Sequence, residues 1–245
     1  MIDALHVSVV GFVAILIAMV IGATVQGTVG FGQNLVVVPV VALLVPEALP
    51  AALVFAGTPI TIAMAVREHH GIDRRGLAWM TAGRVPGTLA GLVIVVTLSA
   101  SALGALAGGV VLVAAVASAI APPLPATAPA ALVAGTASGV FGTAAAIDGP
   151  PMALLYQHHP GPELRPTLAA AFVVGSVMTV TGLVLAGEVA GWQIALALAL
   201  FPGIAAGFLL SRPLTRMLHG RSLRPAVLAV AGLTGVAALV RGITA

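Results

Sequence analysis

Cysteine and lysine are both absent from this chain of 245 residues, and charge of either sign is scarce, at 7% of positions. Without cysteine there is neither a disulfide nor a thiolate metal site. Without lysine there is no GxxxxGKS/T phosphate loop, so the chain does not power a primary pump by itself. Soluble domains are about a quarter charged, and 7% excludes that class. The ten basic residues are all arginine, the net charge is +3, and no basic run carries interleaved aromatics, so a nucleic-acid surface is excluded as well. The six histidines (His6, His69, His70, His158, His159, His219) fall in loops or near the N-terminus, which leaves no Ser–His protease pair inside a bundle. Asp148 is the one acid inside an apolar run, and a two-aspartate intramembrane protease needs two. The opening residues MIDALHVS lack a positive leader, so the first apolar run reads as a retained helix.

Hydrophobic residues make up 60% of the chain. Apolar segments run at 5–26, 33–45, 50–66, 77–98, 102–121, 128–142, 146–156, 166–186, 192–210 and 223–240. This is the pattern of an all-α, polytopic helical membrane protein forming a single membrane domain over 1–245. Segments 33–45 and 146–156 are short of the roughly twenty residues a crossing needs. They read as half-helices or re-entrant hairpins, within broken stretches at 26–45 and 138–156. The whole has 8–10 membrane segments.

The chain repeats itself. Pro86-Gly87-Thr88-Leu89-Ala90-Gly91 returns as Pro202-Gly203-Ile204-Ala205-Ala206-Gly207, and the same offset carries Pro50 onto Pro166 and Gly71 onto Gly187. GTVGFGQNLVVVP at 27–39 has a counterpart in SGVFGTAAAIDGPP at 138–151, with a few inserted residues shifting the offset. The halves are 1–121 and 122–245. The loop at 67–76 (REHHGIDRRG) has three arginines, and its counterpart near 183–192 has only Glu188. The loop near 98–102 is uncharged, but its counterpart at 211–224 carries Arg212, Arg216, Arg221 and Arg224. Arginine marks the cytoplasmic side of short loops. The swap therefore inverts one half relative to the other and requires an odd number of crossings in each. Five plus five, with both termini outside, places Arg67, Arg74, Arg75, Arg165 and the 211–224 arginines on the cytoplasmic side, with Arg241 the exception. Inverted repeats are a common architecture for alternating access.

Irregular backbone at membrane depth persists only where protein or a watery cavity satisfies it. The first break, Gln26 to Asn34, offers Thr28, Gln33 and Asn34 beside Gly27, Gly30 and Gly32. The second offers Ser138 and Thr143 beside Gly139 and Gly142, followed by Asp148. Matched breaks point to a binding site, and free amides at half-helix N-termini suit an anion. The alternative is that the glycines only permit close packing. That alternative is the better reading of Gly83, Gly87 and Gly91, and of the equivalent Ala199, Gly203 and Gly207. Arg84 lies about two turns inside its segment. It either grips an oxyanion or snorkels to the headgroups. Asp148 either caps the half-helix that opens at Gly149-Pro150, which is the simpler reading, or pairs with Arg84 or exchanges a proton. His69-His70 and His158-His159 read as solvated loop pairs, and Trp79 and Trp192 as interface anchors.

With these motifs in this order, the chain resembles the TauE/SafE family of sulfite exporters over nearly its whole length. The resemblance implies an integral membrane permease for sulfite or a related organosulfur anion. Its glycine-rich break corresponds here to Gly27, Gly30, Phe31, Gly32 and Pro39, and the repeat of that break to Gly139, Phe141, Gly142 and Pro150. The family is typically richer in glycine where this chain has Gln33-Asn34 and Ala144-Ala145-Ala146. The expectation is a cell-membrane permease for sulfite, an organosulfonate or a carboxylate, working by alternating access, with no catalytic residue, metal or cofactor. The partners are the anion, the lipid bilayer, a coupling proton or sodium ion, and a second copy in a homo-oligomer. The other readings are an anion channel and, more remotely, an intramembrane enzyme.

Overall fold

Ser8 opens the first helix, α1 (Val9–Val29), by accepting the Gly11 amide at 3.1 Å. The apolar run then continues until Gly30, whose φ of +106° is backbone that glycine adopts without strain. Gly32, at φ +109°, completes the reversal into α2 (Gln33–Leu44). The chain continues through α3 (Ala51–Arg67), α4 (Arg74–Thr97), α5 (Ala100–Ile120), α6 (Ala128–Ala145), α7 (Gly149–Tyr156), α8 (Gly161–Leu185), α9 (Gly191–Met217) and α10 (Arg224–Thr244). The structure, a computed structural model, describes residues 5–120, 125–156, 161–217 and 224–244. Among those residues there is no strand. Arg221, His158, His159 and His219 lie outside them.

Among the described residues, six helices have the length and apolarity to cross a membrane: α1, α4, α5, α6, α8 and α9. Their outer faces carry large exposed apolar side chains, among them Val10, Ile17, Leu89, Val93, Leu185 and Leu198. In water such a surface would drive aggregation; in a bilayer it matches the solvent. The protein is a multi-pass helical membrane protein.

The halves pack by a rule of exchange. The main partnerships are α4 with α6, α1 with α9, α3 with α8, and α5 with α10, while α3 also touches α9 and α4 touches α8. Swapping helices one to five for six to ten exchanges α4–α6 with α9–α1 and α3–α9 with α8–α4, and returns α3–α8 and α5–α10 to themselves. At the first seam, a Cβ on Gly83 would lie 2.0 Å from the Leu132 carbonyl oxygen, and one on Gly87 2.2 Å from that of Thr136. At the second, a Cβ on Gly207 would lie 2.3 Å from the Val20 carbonyl oxygen. Threonine hydroxyls cross both seams: Thr136 donates to the Gly83 carbonyl (3.0 Å) and Thr24 to that of Gly207 (3.2 Å). Here the glycines serve close packing, as their spacing predicts.

Two expectations change. Gly27 and Thr28 are still helical, so the first break is only Gly30 to Gly32. The second break needs no inserted residues. Its left-handed residue, Ala146 (φ +58°), and its helix start, Gly149, both lie 116 positions after Gly30 and Gln33. Aligning the two Phe-Gly pairs is what suggests an insertion, and the backbone turns at a different place in each half.

Trp79 is exposed, consistent with an interface position, while Trp192 packs partly on the core with its ring 4.8 Å from that of His6. His69 and His70 are exposed and stacked on each other. No cluster of metal-ligating side chains occurs among the described residues.

Candidate functional site

The two breaks meet. Asn34, in the first turn of α2, donates through Nδ2 to the Ala146 carbonyl in the second break at 2.6 Å. Beside this contact is a cavity of about 50 Å³. A water needs about 10–15 Å³ of such space, so the cavity accommodates a few waters or one small anion. Gln26, Gly32, Gln33 and Asn34 come to its wall from the first half, and Gly142, Asp148, Ser176 and Thr179 from the second.

Arg84 is the cation of the site. The glycine seam draws α4 against α6, and the guanidinium turns inward, leaving Arg84 3% exposed. It does not snorkel. Gly175 makes this pose possible, because a Cβ there would lie 2.1 Å from the Arg84 Cζ. Nη1 donates to the Ser138 hydroxyl (2.9 Å) and Nη2 to Asp148 Oδ2 (3.2 Å). Ser138 in turn donates to the Asp148 carbonyl at 2.8 Å, holding the second break in place. The third nitrogen of the guanidinium, Nε, is buried without a partner. The Asp148 carboxylate thus reaches Arg84, the pairing that the sequence leaves as an alternative to capping.

The N-terminus of α2 has no cap from its own Ncap residue, since Gly32 has no side chain to offer. A neighbouring helix substitutes: Gln26 Oε1 accepts from the Gln33 amide at 3.3 Å. Gln33 itself is 1% exposed, and its Oε1 is buried without a partner. Helix N-termini with spare amide donors attract anions.

The sequence-derived set divides. Gly32, Gln33, Asn34, Arg84, Gly142 and Asp148 line the cavity. Ser138 supports it through Arg84, and Thr143 through a 3.0 Å hydroxyl contact with Thr179. The other five do not line it. Thr28 bonds back to the Thr24 carbonyl (2.7 Å), and Gly30 forms the turn beside Arg165. Phe31 packs over Gly149, and Gly139 lies against the α4 backbone. Phe141 accepts the Ile147 amide through its carbonyl and lines a separate apolar cavity. Sequence reasoning missed Gln26, Thr61, Gly175, Ser176 and Thr179. A signal existed for the last three: Gly175-Ser176 and Thr179 are small or polar residues one turn apart in an otherwise apolar segment.

A second polar cluster lies at the C-terminal end of α1. Arg165 donates to the Gly27 carbonyl (2.9 Å), the Thr28 carbonyl (3.2 Å) and both oxygens of Glu68. Arg67 also pairs with Glu68 and lies 4.8 Å over the Phe208 ring.

Among known proteins, the family model described as Sulfite exporter TauE/SafE matches residues 14–238. No curated protein and no solved structure matches the chain.

Proposed function

The chain belongs to the TauE/SafE sulfite exporter family, and on that premise we propose that it is a secondary transporter of the cell membrane for sulfite or a related small organosulfonate or carboxylate. The observation that carries this reading is the cavity between the two breaks, where a buried Arg84 keeps one donor free beside the N-terminus of α2. An oxyanion accepts from that Nε and from Nη2, replacing the Asp148 carboxylate. Asp148, the only carboxylate lining the cavity among the described residues, then faces an anion with no cation of its own and takes up a proton. Anion and proton thus move together. The two halves, inverted with respect to each other, rock about the site and open it alternately to each side. Arg67, Arg74, Arg75, Arg165 and Arg212 mark the cytoplasmic face.

The test is reconstitution into proteoliposomes, following labelled sulfite and internal pH together. The expected result is saturable, trans-stimulated flux with accompanying proton movement. Asp148→Asn should still exchange anion but move no protons. Flux that neither saturates nor responds to trans substrate would identify a channel instead.

A further inference from the structure

Two of the residues that line the cavity each hold a buried polar atom without a partner, and these atoms are opposite in kind. Arg84 Nε is a donor, and Gln33 Oε1 is an acceptor. The acceptor is fixed by a chain of contacts. A carbonyl only accepts, so the Ala146 oxygen requires that Asn34 present its Nδ2, at 2.6 Å. That leaves Asn34 Oδ1 to accept from Gln33 Nε2 at 3.4 Å. Gln33 Nε2 is thereby turned toward Asn34, and Oε1 is the end left over. The backbone of Gln33 is pinned as well, by Gln26.

The charge of the wall is equally specific. Among the described residues, Arg84 and Asp148 are the only charged ones lining the cavity, and they pair with each other. Even once Asp148 has given up Arg84 and taken up a proton, a ligand with two negative charges meets a wall with one positive charge to offer. A ligand built only of acceptors satisfies Arg84 Nε but faces Gln33 Oε1 lone pair to lone pair, leaving that oxygen desolvated and unpaired. A site with a buried acceptor discriminates against analogues that lack the matching donor.

We infer that the ligand is a small monoanion carrying its own O–H or N–H donor, and that Gln33 selects it by accepting that hydrogen. The inference rests on the anion reading above and narrows it. The class contains monoprotonated oxyacids and small hydroxy-substituted carboxylates and sulfonates, within a cavity of about 50 Å³. Asn34 acts as a positioning residue, keeping the Gln33 amide from turning over.

The experiment measures binding to purified protein by calorimetry for two matched pairs that differ by one hydroxyl, glycolate with acetate and isethionate with ethanesulfonate. Sulfite is included as a fifth ligand, and each titration is run in sodium and in choline buffer. The hydroxylated member of each pair should bind at least about tenfold more tightly, the equivalent of about 1.4 kcal/mol for one buried acceptor left unpaired. In Gln33→Met the ratio should fall to within about twofold, and in Asn34→Ala it should fall partway. Equal wild-type binding within both pairs overturns the inference while leaving the anion reading intact. A preference seen only in sodium overturns it too, because Oε1 would then serve a cation. Binding of none of the five ligands overturns the anion reading itself. If Gln33→Met does not fold, the wild-type pairs alone decide.

Discussion

At the first break the chain turns through Gly30 and Gly32, and Arg165 from the second half covers the Thr28 carbonyl and shares that of Gly27 with Arg67. At the second break it turns through Ala146, whose carbonyl is covered by Asn34 from the first half. Each break depends on a donor from the other half, so neither half is satisfied alone. The donors differ, however: a guanidinium with a carboxylate partner at one break, a neutral amide at the other. The seams differ in the same way. The α4–α6 seam interlocks glycines from both helices, since Cβ atoms on Gly83, Gly87 and Gly135 would each lie within 2.2 Å of a facing carbonyl oxygen. In the α9–α1 seam Ala199 stands where Gly83 does in the first. A Cβ on Gly203 would first meet the tip of Leu16 at 2.8 Å, with the Leu16 carbonyl at 3.2 Å. Repetition of the backbone therefore does not require repetition of tolerance: the α4–α6 seam is the tighter at Gly87, whereas the α9–α1 seam is the tighter at Gly207, where a Cβ would lie 2.3 Å from the Val20 carbonyl oxygen against 3.0 Å from the Val140 carbonyl oxygen at the equivalent Gly91.

The largest expected effect tests that contrast. Gly87→Ala forces a methyl group into a backbone carbonyl that cannot move without displacing α6, and should cost more than about 3 kcal/mol. Gly203→Ala, at the equivalent position, meets a flexible leucine tip and should cost about 1 kcal/mol or less. Thermal unfolding in detergent, read beside the yield of monodisperse protein, checks both. Equal losses would show the two seams to be alike.

Next in size is the loss of binding when Arg84 is displaced without being removed. Gly175→Ala should push the guanidinium off Ser138 and Asp148, since the flexible side chain yields before the backbone does. Sulfite affinity should fall about tenfold to a hundredfold, as for loss of a charge-assisted hydrogen bond. Arg84→Lys should also lose affinity, because the planar fork is gone although the charge remains. Calorimetry on folded protein checks both, and full affinity in Gly175→Ala would show that the pose of Arg84 does not matter.

The parts of this architecture legible in the sequence are those governed by composition and period. Ten helices appear close to the ten apolar runs, because an apolar run of that length has few other ways to satisfy its backbone in lipid. The packing role of Gly83 and Gly87 was legible for the same reason, since i, i+4 spacing places them on one helix face. The width of the breaks was not. Glycine-rich sequence marks where a helix can break, but Gly27 and Thr28 stay helical because α9 packs against them: a Cβ on Gly27 would lie 2.3 Å from the Ser211 hydroxyl. The pairing of Arg84 with Asp148 was only one alternative, because it depends on which face of α4 turns inward. Arg165 read as a loop charge, and its role as a cover for α1 carbonyls depends on α8 starting beside the end of α1, a tertiary fact.

The smallest expected effect separates the two covers over the breaks. Arg165→Met removes the donor to the Thr28 carbonyl, leaves the Gly27 carbonyl to Arg67 alone at 3.4 Å, and takes away one of the two arginines that hold Glu68. A buried carbonyl left unpaired costs about 1–3 kcal/mol, and partial exposure reduces this, so the loss should be about 1–2 kcal/mol. Asn34→Leu uncovers one carbonyl, that of Ala146, at the edge of a cavity able to admit water. Water replaces much of a lost hydrogen bond at such a place, so the cost should be about 1 kcal/mol. Melting curves of the two variants, compared with Arg165→Met/Asn34→Leu, give the sizes and their additivity. The sites share no direct partner, and distant sites usually add to within about 0.5 kcal/mol. If Asn34→Leu proves as costly as Arg165→Met, water does not reach the second break, and the cavity is drier than its polar wall implies. Coupling well beyond that limit would mean that the two breaks, although covered by different chemistry, move as one unit.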